Sequence, residues 1–146
     1  MKKLMMVAIA AIISVVAVEA RSNYRQDASV LPVAAQSVLR SNFKAPVSLV
    51  KVDKDFGRVS EYEVILTDGT EITFDSKGNV KEIETARNGS VPAAFIPQPV
   101  SMYVSKYHGT YKIVGFEKQR KGYEVTLSNG LELKFDKIGN FVKYDK

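Results

Sequence analysis

Few side chains in this sequence could carry covalent or acid–base chemistry. Its 146 residues include no cysteine, and the only imidazole belongs to His108, placed by the pattern in the loop after a second helix. A thiolate nucleophile is therefore excluded, and a lone loop histidine is an isolated base with no nucleophile beside it. Along the chain no His/Asp/Glu group has metal-ligand spacing, and no serine sits in a nucleophile-elbow context. The acidic turns Asp75-Ser76-Lys77-Gly78-Asn79 and Asp136-Lys137-Ile138-Gly139-Asn140 lack the alternating oxygen ligands and closing glutamate of a calcium loop, so they read as backbone turns. Two glutamate pairs remain, Glu63/Glu71 and Glu124/Glu132. Either pair could be cast as acid and base, but alternation places all four as outward-facing strand residues. No enzyme, cofactor or metal site follows.

The elements that position these glutamates are given by a repeat. Tyr62 to Glu84, YEVILTDGTEITFDSKGNVKEIE, returns 61 residues later as Tyr123 to Asp145, YEVTLSNGLELKFDKIGNFVKYD, with ten of 23 positions identical. Each copy alternates apolar and polar residues up to Asp68-Gly69 or Asn129-Gly130, dipeptides that hairpin turns favour. A two-residue loop would throw the apolar sets of the two strands onto opposite faces. A three-residue loop pairs Val64 with Ile72 and Tyr62 with Phe74, and likewise Val125 with Leu133 and Tyr123 with Phe135, giving one apolar face per copy. That register sets Glu63 opposite Thr73 and Glu124 opposite Lys134, the latter a surface ion pair, while Glu71 faces Ile65 and Glu132 faces Thr126.

Residues 1–20, MKKLMMVAIAAIISVVAVEA, have the basic start, short apolar core and small-residue end of a cleavable secretory signal of bacterial type, with the cut after Ala20. The apolar run is shorter than the roughly 20 residues a spanning helix needs. The expected destination is the periplasm, with no membrane association after cleavage. Losing two lysines and one glutamate from a formal charge of +5 leaves +4, and the remaining lysines are scattered among acids, which argues against nucleic acid as a partner.

Residues 21–30 read as a loose polar leader. An amphipathic helix follows over 32–43, with Leu31, Ala35, Val38, Leu39 and Phe43 on one stripe. A strand from Val47 to Asp53 and the repeated hairpin come next, and Val80 to Glu84 closes the unit as a bulged or edge strand. Residues 85–90 form a polar linker. The second unit, 91–146, has its helix broken by Pro97 and Pro99 and restarted to Tyr107, with Val100, Tyr103, Val104 and Tyr107 on the core stripe, then a strand from Tyr111 to Glu117. The fold class is α+β, two tandem helix-plus-four-strand repeats (31–84 and 91–146) forming one antiparallel eight-stranded sheet with helices on one face.

The combination of Leu-Pro, a short helix ending in Phe43 or Tyr107, Tyr-Glu-Val-x-Leu-x-Asp/Asn-Gly and Phe-Asp-x-x-Gly-Asn, twice after a signal peptide, resembles the PepSY-like family. These are small exported proteins of the Bacteroidetes, also described as β-lactamase-inhibitor-like. The resemblance covers about residues 30–145 and implies the fold of the β-lactamase inhibitor protein and periplasmic residence. It transfers no catalytic residue, and the absence of cysteine separates this chain from the disulfide-bonded inhibitor itself. The expected function is a monomeric, non-enzymatic binding module that presents the water-facing side of its sheet to another periplasmic protein or peptide. The candidate contacts are Glu63, Ile65, Glu71, Thr73, Glu124, Thr126, Glu132 and Lys134. The alternatives are a small-molecule or peptide carrier with a pocket between helix and sheet, and an inhibitor of a periplasmic hydrolase.

Overall fold

A computed structural model of the chain describes residues 24–25 and 27–145. The signal segment, most of the leader and Lys146 lie outside the described residues. The elements are β1 (Tyr24–Arg25), α1 (Val33–Asn42), β2 (Val47–Asp55), β3 (Arg58–Leu66), β4 (Glu71–Asp75), β5 (Val80–Glu84), α2 (Gln98–His108), β6 (Ile113–Gln119), β7 (Gly122–Leu127), β8 (Glu132–Asp136) and β9 (Phe141–Asp145). The architecture is α+β, with eight principal strands and the two-residue β1 in one antiparallel sheet that follows chain order. The chain forms two compact units, one comprising the described residues up to Thr67 with Thr73–Asn79, the other Asp68–Ile72 with Val80 onward.

In the first unit α1 buries Ala35 and Leu39, and the strands bury Val50, Val64, Leu66 and Phe74. The leader is more ordered than its composition suggests. Tyr24 and Arg25 pair with Lys51 and Val50, and Asp27 caps a single 3-10 turn over Ala28–Val30 by accepting from the Ser29 amide. Gly78 shows why the turn after β4 carries glycine. Its φ is +93°, and a Cβ there would lie 2.9 Å from the Ala35 amide nitrogen and 3.0 Å from Pro32. The turn packs against the first turn of α1 with no room for a side chain.

The second unit repeats the device. Gly139, at φ +92°, would place a Cβ 2.7 Å from Pro99 at the start of α2. The Asp75 and Asp136 carboxylates each accept two backbone amides of their own turns, from Lys77 and Asn79 and from Ile138 and Asn140. These oxygens close turns, as the sequence predicts. Pro97 precedes α2 and Pro99 falls in its first turn, where a missing amide costs nothing; a 3-10 turn over Ala93–Phe95 fills the interrupted segment.

The three-residue hairpin loop holds in the second copy. Tyr123 pairs with Phe135, Glu124 with Lys134 and Val125 with Leu133, and the Leu127 amide bonds the Leu131 carbonyl. Three expectations change. β5 is internal, pairing Ile83 with Phe116 of β6, and so is no edge strand; Val80 and Ile83 are both buried. Tyr107 lies outside the core, 57% exposed, because the stripe of α2 narrows to Val100 and Val104. The linker is tied down: Thr85 bonds Val114, and the Ala86 amide donates to the buried Thr70 hydroxyl.

Candidate functional site

Registers extended across neighbouring strands show what the outward glutamates belong to. In the second unit one row reads Glu82 on β5, Glu117 on β6, Glu124 on β7, Lys134 on β8 and Lys143 on β9. The next reads Glu84, Gly115, Thr126, Glu132 and Asp145. The core row between them, Ile83, Phe116, Val125 and Leu133, points to the other face and is buried. Six carboxylates and two ammonium groups thus share the outer face of this unit.

Glu117, Glu124 and Lys134 are direct neighbours, so like charges oppose each other where Glu124 meets Glu117. Glu124, Glu132 and Asp145 bring one oxygen each within 4.8 Å of one another. Burial, followed by a hydrogen bond with Asp145 and the nearby charges of Glu132, Asp145 and Glu117, pushes the Glu124 carboxyl up to about 7. Its Oε2 is buried with no hydrogen-bond partner. Asp145 moves the other way, held low first by the Glu124 hydrogen bond and then by Lys134, whose Nζ lies 3.6 Å from Oδ2. Lys134 therefore stands opposite Glu124 in register but pairs its charge with Asp145 on the neighbouring β9.

In the first unit the outer rows are Leu49 with Ile65, Lys51 with Glu63, and Asp53 with Glu61. Asp53, Glu61 and Glu63 form a second three-carboxylate group within 4.8 Å. Here an ammonium sits inside the group: Lys51 Nζ is 3.4 Å from Asp53 Oδ1 and 3.3 Å from Glu63 Oε2. Glu63 is nonetheless only 8% exposed, and burial pushes it up to about 7 against the pull of Lys51. Both groups assemble from separate strands, so chain spacing alone did not show them. A calcium ion takes roughly six to eight oxygens. Three carboxylates already engaged with an ammonium or with each other fall short of that.

Of the predicted contacts, Glu63 and Thr126 are buried, whereas Ile65, Glu71, Thr73, Glu124, Glu132 and Lys134 are half-buried. The outer face is less open to water than alternation implied. Thr126 packs close over Gly115, where a Cβ would lie 3.1 Å from Thr126 Cβ. Sequence reasoning missed Lys51, Asp53, Glu61, Glu82, Glu84, Glu117, Lys143 and Asp145. The i, i+2 acids of Glu61-x-Glu63 and Glu82-x-Glu84 carried that signal. His108 closes α2 and lies 3.2 Å from the Tyr144 hydroxyl, packed among Tyr103 and Tyr144, a structural setting.

An open groove of about 840 Å³ lies elsewhere in the second unit, along the seam between α2 and the β8–β9 turn, lined in part by Pro99, Met102, Tyr103, Tyr107 and Phe141. Among the described residues no helix is long and apolar enough to cross a membrane.

Comparison with known proteins places this arrangement. No curated protein matches the sequence. A solved structure from Bacteroides vulgatus, a putative periplasmic protein of unknown function, is 42% identical, with a TM-score of 0.79 over 84% of this chain and 98% of its own. A putative calcium-regulated periplasmic protein from Bacteroides thetaiotaomicron is 37% identical, with a TM-score of 0.76 over 82% of this chain and 94% of its own. A further putative periplasmic protein from B. vulgatus is 31% identical at a TM-score of 0.76. The model of the family described as "Putative beta-lactamase-inhibitor-like, PepSY-like" matches residues 60–143, and the chain belongs to this PepSY-like family.

Proposed function

We propose that this chain is a non-enzymatic periplasmic binding protein whose outer sheet face, in the second unit, recognises a cationic group on another protein or peptide. The observation that carries the reading is the two-row array of Glu82, Glu84, Glu117, Glu124, Glu132 and Asp145, a concentration of negative charge on a chain of net positive charge. Charge of one sign gathered on one face speeds encounter with, and selects, partners of the opposite sign. The periplasmic descriptions of the related structures support the location.

The test is amide NMR mapping with hexalysine as probe at low and high salt. Shifts should concentrate on β5 to β9, weaken with salt and vanish in a Glu82→Lys/Glu117→Lys double variant. Shifts spread evenly over the chain, or untouched by that variant, would remove the reading. A relative from B. thetaiotaomicron is described as calcium-regulated, and the same spectra with added CaCl2 test whether calcium acts on this chain.

A second reading, a carrier of a small apolar molecule or peptide, is favoured by the groove beside α2, where Met102 is 63% exposed. It requires that a fluorescent apolar probe bind there and lose its signal in Met102→Lys. The family description leaves hydrolase inhibition as a third reading, tested by an inhibition panel of periplasmic hydrolases.

A further inference from the structure

We infer that the outer edge of β9 is a strand-addition site whose occupant is an extended segment of another protein, antiparallel to β9, with an acidic residue opposite Lys143 and an apolar one opposite Tyr144. The inference deepens the peptide form of the groove reading and rests on it; it is independent of the outer-face reading. The repeat itself says what belongs there. At the 61-residue offset, Glu82, Ile83 and Glu84 of β5 correspond to Lys143, Tyr144 and Asp145 of β9. β5 is covered: Glu82 pairs with Glu117, Ile83 with Phe116 and Glu84 with Gly115 of β6. Among the described residues β9 pairs with β8 alone. Burial follows the covering. Ile83 is fully buried, whereas its counterpart Tyr144 is 46% exposed.

An edge strand presents a row of backbone amides and carbonyls that another extended main chain satisfies, while side chains on the added strand select its sequence and register. The template for that strand is β6, adjusted by one charge. Where β5 sets Glu82 against Glu117, β9 offers Lys143, so a glutamate in the place of Glu117 meets an opposite charge in place of a like one. The groove between α2 and the β8–β9 turn opens beside Phe141 at the start of β9, and the exposed Met102 and Tyr107 give inward side chains of an added strand an apolar wall. A second copy of this chain is the poorer occupant. Its counterpart of β6 is β2, and the edge of β2 is already taken by β1, Tyr24 pairing with Lys51 and Arg25 with Val50. A pairing of two β9 strands centred on Lys143 would set two ammonium groups face to face.

The test uses the whole chain and a synthetic peptide, KIVGFEKQ, the sequence of residues 112–119. Amide exchange of Phe141–Asp145 should slow about tenfold at saturating peptide, with NMR shifts at Met102 and Tyr107. The same peptide with lysine in place of its glutamate should bind about threefold more weakly, the scale of a cross-strand charge pair, and Lys143→Glu should reverse that preference. If Lys143→Glu does not fold, Lys143→Gln serves instead and should erase the preference. A peptide that does not bind, that binds without protecting β9, or that keeps the same charge preference in the variant overturns the inference. So does a dimer of the chain itself joined through β9, read by sedimentation and by the same exchange. An apolar probe that still enters the groove while the peptide fails leaves the groove reading standing and removes this one; failure of both removes both.

Discussion

The two units solve one electrostatic problem in two ways. Each gathers three carboxylates within 4.8 Å on the outer side of its strands. In the first unit the residue in register with Glu63 is Lys51, whose ammonium bridges Asp53 and Glu63; in the second the residue in register with Glu124 is Glu117. In the first group the Lys51 ammonium offsets part of the acidic charge, although burial still holds Glu63 near 7. In the second an acid stands beside the raised Glu124 on β6, and Lys134, its neighbour on β8, pairs its charge with Asp145. The lesson is that a shared strand pattern fixes where charge collects, while one residue on the neighbouring strand decides whether the glutamate faces a cation or another acid.

The largest effect tests what the units share. Gly78 and Gly139 both hold left-handed backbone against the first turn of a helix, so alanine at either should cost roughly 2 to 4 kcal/mol, combining backbone strain with overpacking. Urea unfolding of both variants checks it. A cost at one position and none at the other would mean that the helix–turn contact differs between the units.

The next effect removes the difference. Lys51→Glu gives the first unit the chemistry of the second and leaves Glu63, already nearly buried, beside another acid. About 2 kcal/mol should be lost at pH 8, with less lost at pH 5. The sign follows from proton binding. Glu63 sits above its ordinary 4.5, near 7, so the folded chain holds the extra proton. The stability it brings is complete below about 4.5 and is lost as pH rises through about 7. The wild type should therefore also weaken from pH 5 to pH 8, and a urea midpoint constant across that range would contradict the assignment.

The reverse exchange is smaller. Glu117→Lys sets an ammonium on β6 in register with Glu124 and should raise stability at pH 8 by about 1 kcal/mol, the scale of a partly exposed ion pair. It should also blunt the response of the outer face to hexalysine. A gain in stability with undiminished hexalysine shifts would separate the electrostatics of the fold from those of recognition.

The sequence made the fold legible because its signals were local. Asn129-Gly130 with period-two alternation was enough to place Val125 against Leu133, and Leu31-Pro32 with Ala35 and Leu39 was enough to place α1. The charged groups were legible only in part, since Glu117 and Glu124 are seven residues apart in sequence and meet only across a strand pair with its own bulge between Ile113 and Gly115. Reading the hairpin alone therefore gave Glu124 a lysine partner on β8 and concealed its acidic neighbour on β6. Likewise, nothing in Thr85-Ala86 signalled a bond to the Thr70 hydroxyl 16 residues away.

The smallest predicted effect concerns the strand connections, where the units also part. β2 and β3 meet at Asp55-Phe56-Gly57-Arg58, with Phe56 at φ +51° and fully exposed, whereas the corresponding β6–β7 turn keeps every non-glycine residue at negative φ. A bulky side chain gains nothing from left-handed backbone when it touches nothing, and asparagine tolerates that region better. Phe56→Asn should therefore stabilise the chain by roughly 0.5 kcal/mol, visible as a small rise in the urea midpoint with an unchanged slope. A loss would mean that the ring contributes to the fold despite its exposure. A gain would mean that the residue is kept at a cost in stability that the first unit bears and the second does not.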